Sequence, residues 1–454
     1  SISMAMVTPD DSSYGSVETP SGAEVVAPTS IPKDSKFSNR TLMLAIATGA
    51  AVVGTLGYAN MSSSSTGTEL KADYDDDHVH SELGKGHPSW IGTVDAKATD
   101  ETLGLAEALG AIQDKSSFLF GHQNTNYKGQ YFKDKVGTMG YSDVYNGTGS
   151  YPAVFGFDWL DVIENGQDFT EHVQFAYSVG AVIAFDWKPY NPEYWWSTSA
   201  NDLSGTPCSK ILELSGSTYD RWTGWLDTIA DNIKGYKYNG VKIPIIFRLL
   251  HENTGGWYWW GTASKSSKEL CSDSDYKGLF NFTQYYLNEY HSVHQILWLY
   301  APAKPSIYTD SAFSTRYPGH DRVDLIGFDR YSTSDEYKDD VLDDCRVVGA
   351  FCKVHGKIAC VGETGITDGL QDTTISNWYY DDFAKNMMTD KDDMCTKISY
   401  AMAWENVHPD LYWVPLPQDA TWNGMQKMYE SDYAFFADDK SWQKELEKYG
   451  YFSR

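Results

Sequence analysis

Two glutamates stand out by their positions. Glu252 lies in "FRLLHENTGGWYWWG" (247–261), at the end of an apolar run that carries Arg248 and His251 just before it. Glu363 closes a second apolar run, "IACVGETG" (358–365). A pair of carboxyl groups facing across a cleft is what glycoside hydrolysis needs. One protonates the leaving oxygen and the other attacks the sugar or activates water. Either glutamate alone is most simply an ion-paired structural acid. Four rings, Trp257, Tyr258, Trp259 and Trp260, follow the first acid. Flat aromatic faces of that kind offer stacking surface to pyranose rings, although a large core also consumes aromatics.

Elements able to hold these residues recur along the chain. From about residue 96, short β-rich apolar runs fall at 117–123, 152–159, 180–187, 243–252, 295–302, 324–331, 358–365 and 398–406. Near-continuous apolar runs of this length fit parallel strands buried on both faces. Amphipathic stretches such as "DRWTGWLDTIADNIKGY" (220–236) lie between them. Strand and helix alternating eight times predict an α/β fold of the (β/α)8 TIM-barrel type. Polar residues gather at the C-terminal ends of these runs: His122, Gln123, Asp158, Asp186, Arg248, His251, Glu252, Asp329, Tyr331, Glu363, Trp404 and Asn406. Those ends converge on one face of such a barrel, where active sites are built. Glu252 follows the fourth run and Glu363 closes the seventh, so both carboxyls can meet one substrate across the mouth.

The segment "FRLLHENTGGWYWWG" resembles the acid/base segment of glycoside hydrolase family 26, best known for β-mannanases. "FGHQN" (120–124), "VDLIGFDRY" (323–331), "VGETG" (361–365) and "AWEN" (403–406) followed by "LYWVP" (411–415) match further stations in the same order. The resemblance covers roughly residues 100–430. It implies a retaining mechanism, with Glu252 as general acid/base, Glu363 as nucleophile and the two carboxyls about 5–5.5 Å apart. It also implies that Tyr331 and Arg248 support the nucleophile, that His251 sits beside the acid, and that Trp257 and Trp404 frame the sugar at the cleavage point. His122 and Lys188 join the substrate-binding set. Glu252 must start protonated, so desolvation against the indoles should raise its pKa.

Two departures bear on the substrate. The family's usual Ser-Trp-His after the third strand is here "DWK", which puts Lys188 in place of the histidine. An ammonium donates hydrogen bonds and accepts none. Leu249 replaces a usual proline after the arginine and reads as a packing change. Trp195 and Trp196, in "YNPEYWW" (190–196), are open between distal sugar contacts and core packing. The family includes β-1,3-xylanases and mixed-linkage glucanases as well as endo-β-1,4-mannanases. The closeness of the whole motif set favours β-1,4-mannan, with another β-glycan as the alternative. A membrane-tethered glycan-binding protein that has lost catalysis is a further alternative, and both carboxylates being present argues against it.

The net charge of −26, from 36 basic and 62 acidic residues, excludes a nucleic-acid partner. The expected partner is a neutral β-linked polysaccharide or oligosaccharide. No zinc spacing among the histidines and cysteines and no phosphate-binding glycine loop is evident, so no cofactor or metal is expected. His172, His291 and His294 read as surface or helix-end residues. Six cysteines at 208, 271, 345, 352, 360 and 395 suggest disulfides in an oxidising compartment, with the pairing open.

Four regions follow. Residues 1–41 read as a disordered, cytoplasmic tail. Residues 42–59, "LMLAIATGAAVVGTLGYA", read as a signal anchor or cleavable signal, spanning the membrane if uncleaved and released near Ala59 if cut. Residues 60–95 form a polar stalk, and 96–454 the barrel, which would be luminal or extracellular. The acidic run at 73–80 lacks the glycine and terminal glutamate of a calcium loop. Sequons at Asn60, Asn146 and Asn281 are usable in the secretory pathway.

Overall fold

The computed structural model describes residues 92–452, apart from 134–138, 200–203, 263–268 and 309–312. The tail, the apolar run at 42–59, most of the stalk and the Asn60 sequon lie outside the described residues. Among the described residues no helix is long and apolar enough to cross a membrane.

Eight parallel strands carry the fold. They are β1 (Phe118–Gln123), β2 (Val154–Asp158), β3 (Val182–Trp187), β4 (Ile245–Leu249), β5 (Ile296–Tyr300), a two-piece β6 (Leu325–Ile326 and Asp329–Ser332), β7 (Ile358–Ile366) and β8 (Ile398–Ala403). Each pairs with the next in chain order, and β8 returns to β1 with Tyr400 opposite Leu119. The sheet is therefore a closed barrel without edges. Seven of the strands are buried along their whole length, which is why they read as unbroken Val, Ile and Phe runs. All eight expected runs are found: six are trimmed by a residue or more at one end or both, the sixth is split and ends one residue later than expected, and the seventh is one residue longer.

The split has a cause. Gly327 passes so close to β7 that a Cβ there would lie 2.8 Å from Cys360 Sγ. Across this break the pairing with β7 slips by one residue, from Leu325 opposite Ile358 to Asp329 opposite Glu363. The slip places Asp329 beside the second glutamate.

The main helices are α1 (Asp100–Ile112), α2 (Gly216–Gly235), α3 (Asp273–Tyr285), α4 (Tyr337–His355) and α5 (Lys440–Tyr449). In α2 the buried residues Trp222, Leu226, Ile229, Ala230 and Ile233 recur at helical spacing and make one apolar stripe. Ser272 caps α3 by accepting from Asp275 N at 3.2 Å. Gly356, at φ 59°, ends α4 in the left-handed conformation and turns the chain into β7.

The six cysteines resolve into two bridges, Cys208–Cys271 and Cys345–Cys395, and two buried thiols, Cys352 and Cys360. His172, expected at the surface or at a helix end, stands in the first turn of a helix but not at the surface. It is buried in the helix Thr170–Ser178, edge-on to Phe169 and Tyr127. Of the two described sequons, Asn146 is exposed, whereas the side-chain oxygen of Asn281 is buried within α3.

Candidate active site

Glu363 projects from the middle of β7 and is 5% exposed. Both of its oxygens are engaged. Oε1 takes a hydrogen bond from Arg248 Nη2, and Oε2 takes one from the Tyr331 hydroxyl at 3.0 Å. Arg248 stands near the end of β4, and its Nη1 donates to Asp329 Oδ2 at 2.7 Å. Its Nη2 lies 3.7 Å from Asp186 Oδ2. One buried guanidinium thus answers three acids, held by β3, β6 and β7. Burial pushes the carboxyls of Asp186 and Asp329 well above the usual range, with Arg248 opposing.

Glu252 sits in the turn after β4, where Leu250 and Glu252 adopt left-handed φ values of 49° and 53°. Such a conformation costs a non-glycine residue about 1–2 kcal/mol. Cross-links hold it: Glu252 N donates to Ala301 O at 2.8 Å, the Trp260 indole to His251 O at 2.7 Å, and the Tyr276 hydroxyl to Leu250 O at 3.1 Å. Trp257 Nε1 donates to Glu252 Oε2 at 2.7 Å. Burial first, then the charge of Glu363, pushes the Glu252 carboxyl up to about 7. The Trp257 hydrogen bond and the charges of Arg248 and Lys304 oppose that rise. The two glutamates therefore stand in opposite surroundings: one is short of compensating charge, and the other has a donor on each oxygen.

The remaining expected residues divide. His251 does not simply flank the acid. Its Nε2 lies 3.8 Å from Glu363 Oε1, and burial with the Arg248 and Lys188 charges keeps the ring neutral. His122, expected to meet substrate, is wholly buried at the end of β1 and bonded to Thr125 Oγ1 at 3.0 Å. Burial takes its pKa down to about 3, so it supports the floor as a neutral ring and does not line the cleft. Lys188 Nζ lies 3.4 Å from Asp158 Oδ2 and 4.5 Å from the centre of the Trp404 ring. Burial works against its charge, but Asp158 and Asp186 hold the ammonium's pKa up.

The aromatic wall is two layers deep. Trp259 and Trp260 are fully buried, against the expectation of a single sugar platform, and their indole N–H groups are used internally on Pro189 O and His251 O. Tyr258 stacks on Trp260 at 4.3 Å, and only Trp257 and Tyr258 retain partial exposure. Trp195 and Trp196 are each 62% exposed, which excludes core packing for both. Their loop is joined to the wall by the bridge between Ser199 and Tyr258.

Several site residues had no assigned role in the sequence reading. Asp158, Asp186 and Asp329 were visible as strand-end acids, but nothing in one dimension shows that Arg248 and Lys188 are their partners. Asn124 and Glu405 lay inside the matched motifs "FGHQN" and "AWEN" without a role, and Lys128 carried no signal. The structure joins them in one cluster beside Trp404. Asp186, His251 and Glu363 bring possible ligand atoms within 4.8 Å of one another. The Arg248 guanidinium, lying against two of the three, already supplies the positive charge a metal would bring.

Comparison with known proteins gives the same picture from outside. A mannan endo-1,4-beta-mannosidase of Bifidobacterium adolescentis is 28% identical over 342 residues, covering 69% of this chain and 32% of that protein. The chain thus spans about a third of that relative's length. Among solved structures, a Cellulomonas fimi endo-beta-1,4-mannanase double mutant is 28% identical with a TM-score of 0.69, over 78% of this chain and 79% of that one. The catalytic domain of a Bacillus sp. JAMB-750 endo-beta-1,4-mannanase is 26% identical with a TM-score of 0.69, over 79% and 97%. The family model described as glycosyl hydrolase family 26 matches residues 94–395. That match takes in seven of the eight strands and both glutamates, and the chain belongs to glycosyl hydrolase family 26.

Proposed function

We propose that this chain is a retaining endo-β-1,4-mannanase in which Glu363 is the nucleophile and Glu252 the general acid/base. The observation that carries the reading is the contrast between the two carboxyls. Glu252 is pushed up to about 7 and so keeps its proton up to near-neutral pH, where an ordinary carboxyl has lost it. Glu363 receives Arg248 on one oxygen and Tyr331 on the other, so its carboxyl is held from both ends by donors.

In the first step Glu363 attacks the anomeric carbon while Glu252 gives its proton to the departing glycosidic oxygen. A covalent glycosyl ester forms on Glu363, whose charge disappears. That charge is the second cause of the raised Glu252 pKa, so its loss turns Glu252 into a base. Glu252 then takes a proton from water, which attacks the same carbon and releases sugar with its configuration retained. Trp257 positions the acid, and Trp257 with Tyr258 offers the sugar a partly exposed aromatic surface. Trp195 and Trp196 extend the aromatic surface to more distant sugar units.

Mannan is supported by the named activity of the relatives. Lys188 favours a second reading, a different β-glycan cut by the same pair, because a charged donor replaces an imidazole beside Trp404. The two disulfides and the apolar segment at 42–59 support delivery to an oxidising compartment, with the barrel luminal or extracellular. The test is hydrolysis of β-1,4-mannan, galactomannan, β-1,3-xylan and mixed-linkage glucan, with Glu363→Ala alongside. Proton NMR follows the first anomer released. Release of the β-anomer from mannan, absent in the variant, is expected. Activity on another glycan moves the substrate, and release of the α-anomer overturns the nucleophile assignment.

A further inference from the structure

Five strands send buried polar side chains into one layer around Arg248: Gln123 from β1, Asp186 from β3, Arg248 from β4, Asp329 from β6 and Glu363 from β7. Two glycines make room for it. A Cβ on Gly156 in β2 would collide with Gln123 Oε1, and one on Gly362 in β7 with Asp329 Oδ1. Asp186 is the member of this layer that the two-carboxylate chemistry leaves without a task. Its Oδ1 accepts from Gln123 Nε2 at 2.7 Å. Its Oδ2, 3.7 Å from Arg248 Nη2, is buried with no hydrogen-bond partner among the described residues. Asp186 also opens the "DWK" segment, where this chain departs from the family's usual Ser-Trp-His.

Three acids share one guanidinium. Arg248 gives Nη2 to Glu363 and Nη1 to Asp329, while Lys188, the next cation, lies against Asp158. Three carboxylates in this layer would bury negative charge that nothing answers, which is strongly unfavourable. A proton on one of them relieves the excess, and the hydrogen bonds show where it belongs. Glu363 has a donor on each oxygen, and Asp329 takes Nη1 directly at 2.7 Å. Asp186 has only a neutral amide. The charged and titratable groups around it are Asp158 from β2, Lys188 just past β3, Arg248 from β4, His251 and Tyr258 from the segment after β4, Asp329 from β6 and Glu363 from β7. Burial first, then the charge of Asp158, favours the proton on Asp186, and Arg248 and Lys188 oppose it. A carboxylate at that distance would draw Nη2 away from Glu363. A neutral carboxyl does not compete.

We propose that Asp186 is a positioning residue for the nucleophile: holding a proton, it fills the β3 side of the Arg248 fork and leaves Nη2 to Glu363. The inference rests on the reading of Glu363 as nucleophile and deepens it. Asp186 touches no reacting atom and acts through Arg248. Gln123, tied to Oδ1, fixes the carboxyl in turn.

The test uses Asp186→Ala and Asp186→Asn in the full chain, with kcat and KM measured on the glycan that the wild type cleaves best. Asp186→Ala opens the β3 side of the guanidinium. It should lower kcat about tenfold, the scale of one weakened hydrogen bond to a charged group, with KM little changed. Asp186→Asn has the shape of the protonated acid and should recover most of the lost kcat. The proton itself is read by infrared difference spectra between wild type and Asp186→Asn at pH 6, where an ordinary aspartate is ionised. The carbonyl band of a protonated carboxyl should be present in the wild type and missing from the variant. Carboxylate bands in its place overturn the proposal, as does a loss in Asp186→Asn as deep as in Asp186→Ala. Wild-type kcat in Asp186→Ala also overturns it. Melting curves check folding, and where Asp186→Ala fails to melt cooperatively, Asp186→Asn and its spectrum decide alone. All of these outcomes leave the hydrolase reading intact, whereas a wild type that cleaves no glycan overturns both.

Discussion

Tyr331 and Arg248 divide Glu363 between them: the phenol donates to Oε2 at 3.0 Å and the guanidinium takes Oε1. A carboxylate held at both ends cannot rotate away from its target. The phenol pKa is raised, by burial and then by Glu363 and Glu252, so Tyr331 remains a donor across the working range. Tyr331→Phe should lower kcat about 10- to 100-fold, the cost of one hydrogen bond to a charged group, with little change in KM. Steady-state kinetics on the preferred glycan checks this, and an unchanged kcat removes Tyr331 from the mechanism.

The acid should set the alkaline limb of the pH profile. Glu252 must be protonated to act and titrates near 7, so activity falls as pH rises through about 7. The same shift governs stability. A carboxyl raised in the folded state leaves stability intact below its unfolded value near 4.5 and withdraws it as pH rises through 7. Glu252→Gln, though inactive, should therefore melt above the wild type at pH 8, by on the order of 2 kcal/mol. The advantage should vanish at pH 4. Melting curves at the two pH values decide it.

Trp257 tests the origin of that pKa. Its indole N–H, 2.7 Å from Glu252 Oε2, opposes the upward push of burial. Trp257→Phe keeps an aromatic ring and removes the donor. The Glu252 pKa should then climb further, so the alkaline limb moves to higher pH even as kcat falls. A pH–rate profile that scales down without moving would show that the indole acts only as a surface.

Much of this was legible in the sequence, for identifiable reasons. Strands buried on both faces are largely apolar, so β1 to β8 announced themselves, and the polar residues closing all of the runs but the fifth marked the mouth of the barrel. Glu252 and Glu363 followed from position and chemistry. The one-residue slip in β6 was hidden because its cause, Gly327 against Cys360, is a contact between strands. Trp259 and Trp260 looked like platform residues because composition does not say which of four neighbouring rings turns inward. His122 misled similarly, since a histidine at a strand end is as much at home beneath the floor as on it. The Glu405–Lys128 pair joins residues from opposite ends of the barrel sequence; Glu405 lay in the "AWEN" motif, but nothing local marked Lys128 as its partner.

Arg248 gives the last prediction, and it concerns the fold as much as the chemistry. Its charge is shared among Asp329, Glu363 and Asp186, all buried. Among the described residues Arg248 is the only cation in contact with all three, and Arg248→Met removes it. An unpaired buried charge costs about 3–5 kcal/mol. The loss should depend on pH in a definite sense. Asp186 and Asp329 already have pKa values well above 3.8, and without Arg248 both rise further. Stability of the variant is then fullest below the unfolded value near 3.8, where the carboxyls are protonated, and is lost as pH rises through the raised values. The melting deficit against the wild type should be largest near pH 8 and shrink towards pH 4. Arg248→Lys should recover only part of it, because a compact ammonium cannot reach three carboxylates from one position as the planar guanidinium does. A deficit that stays constant with pH would assign the role of Arg248 to packing instead of charge.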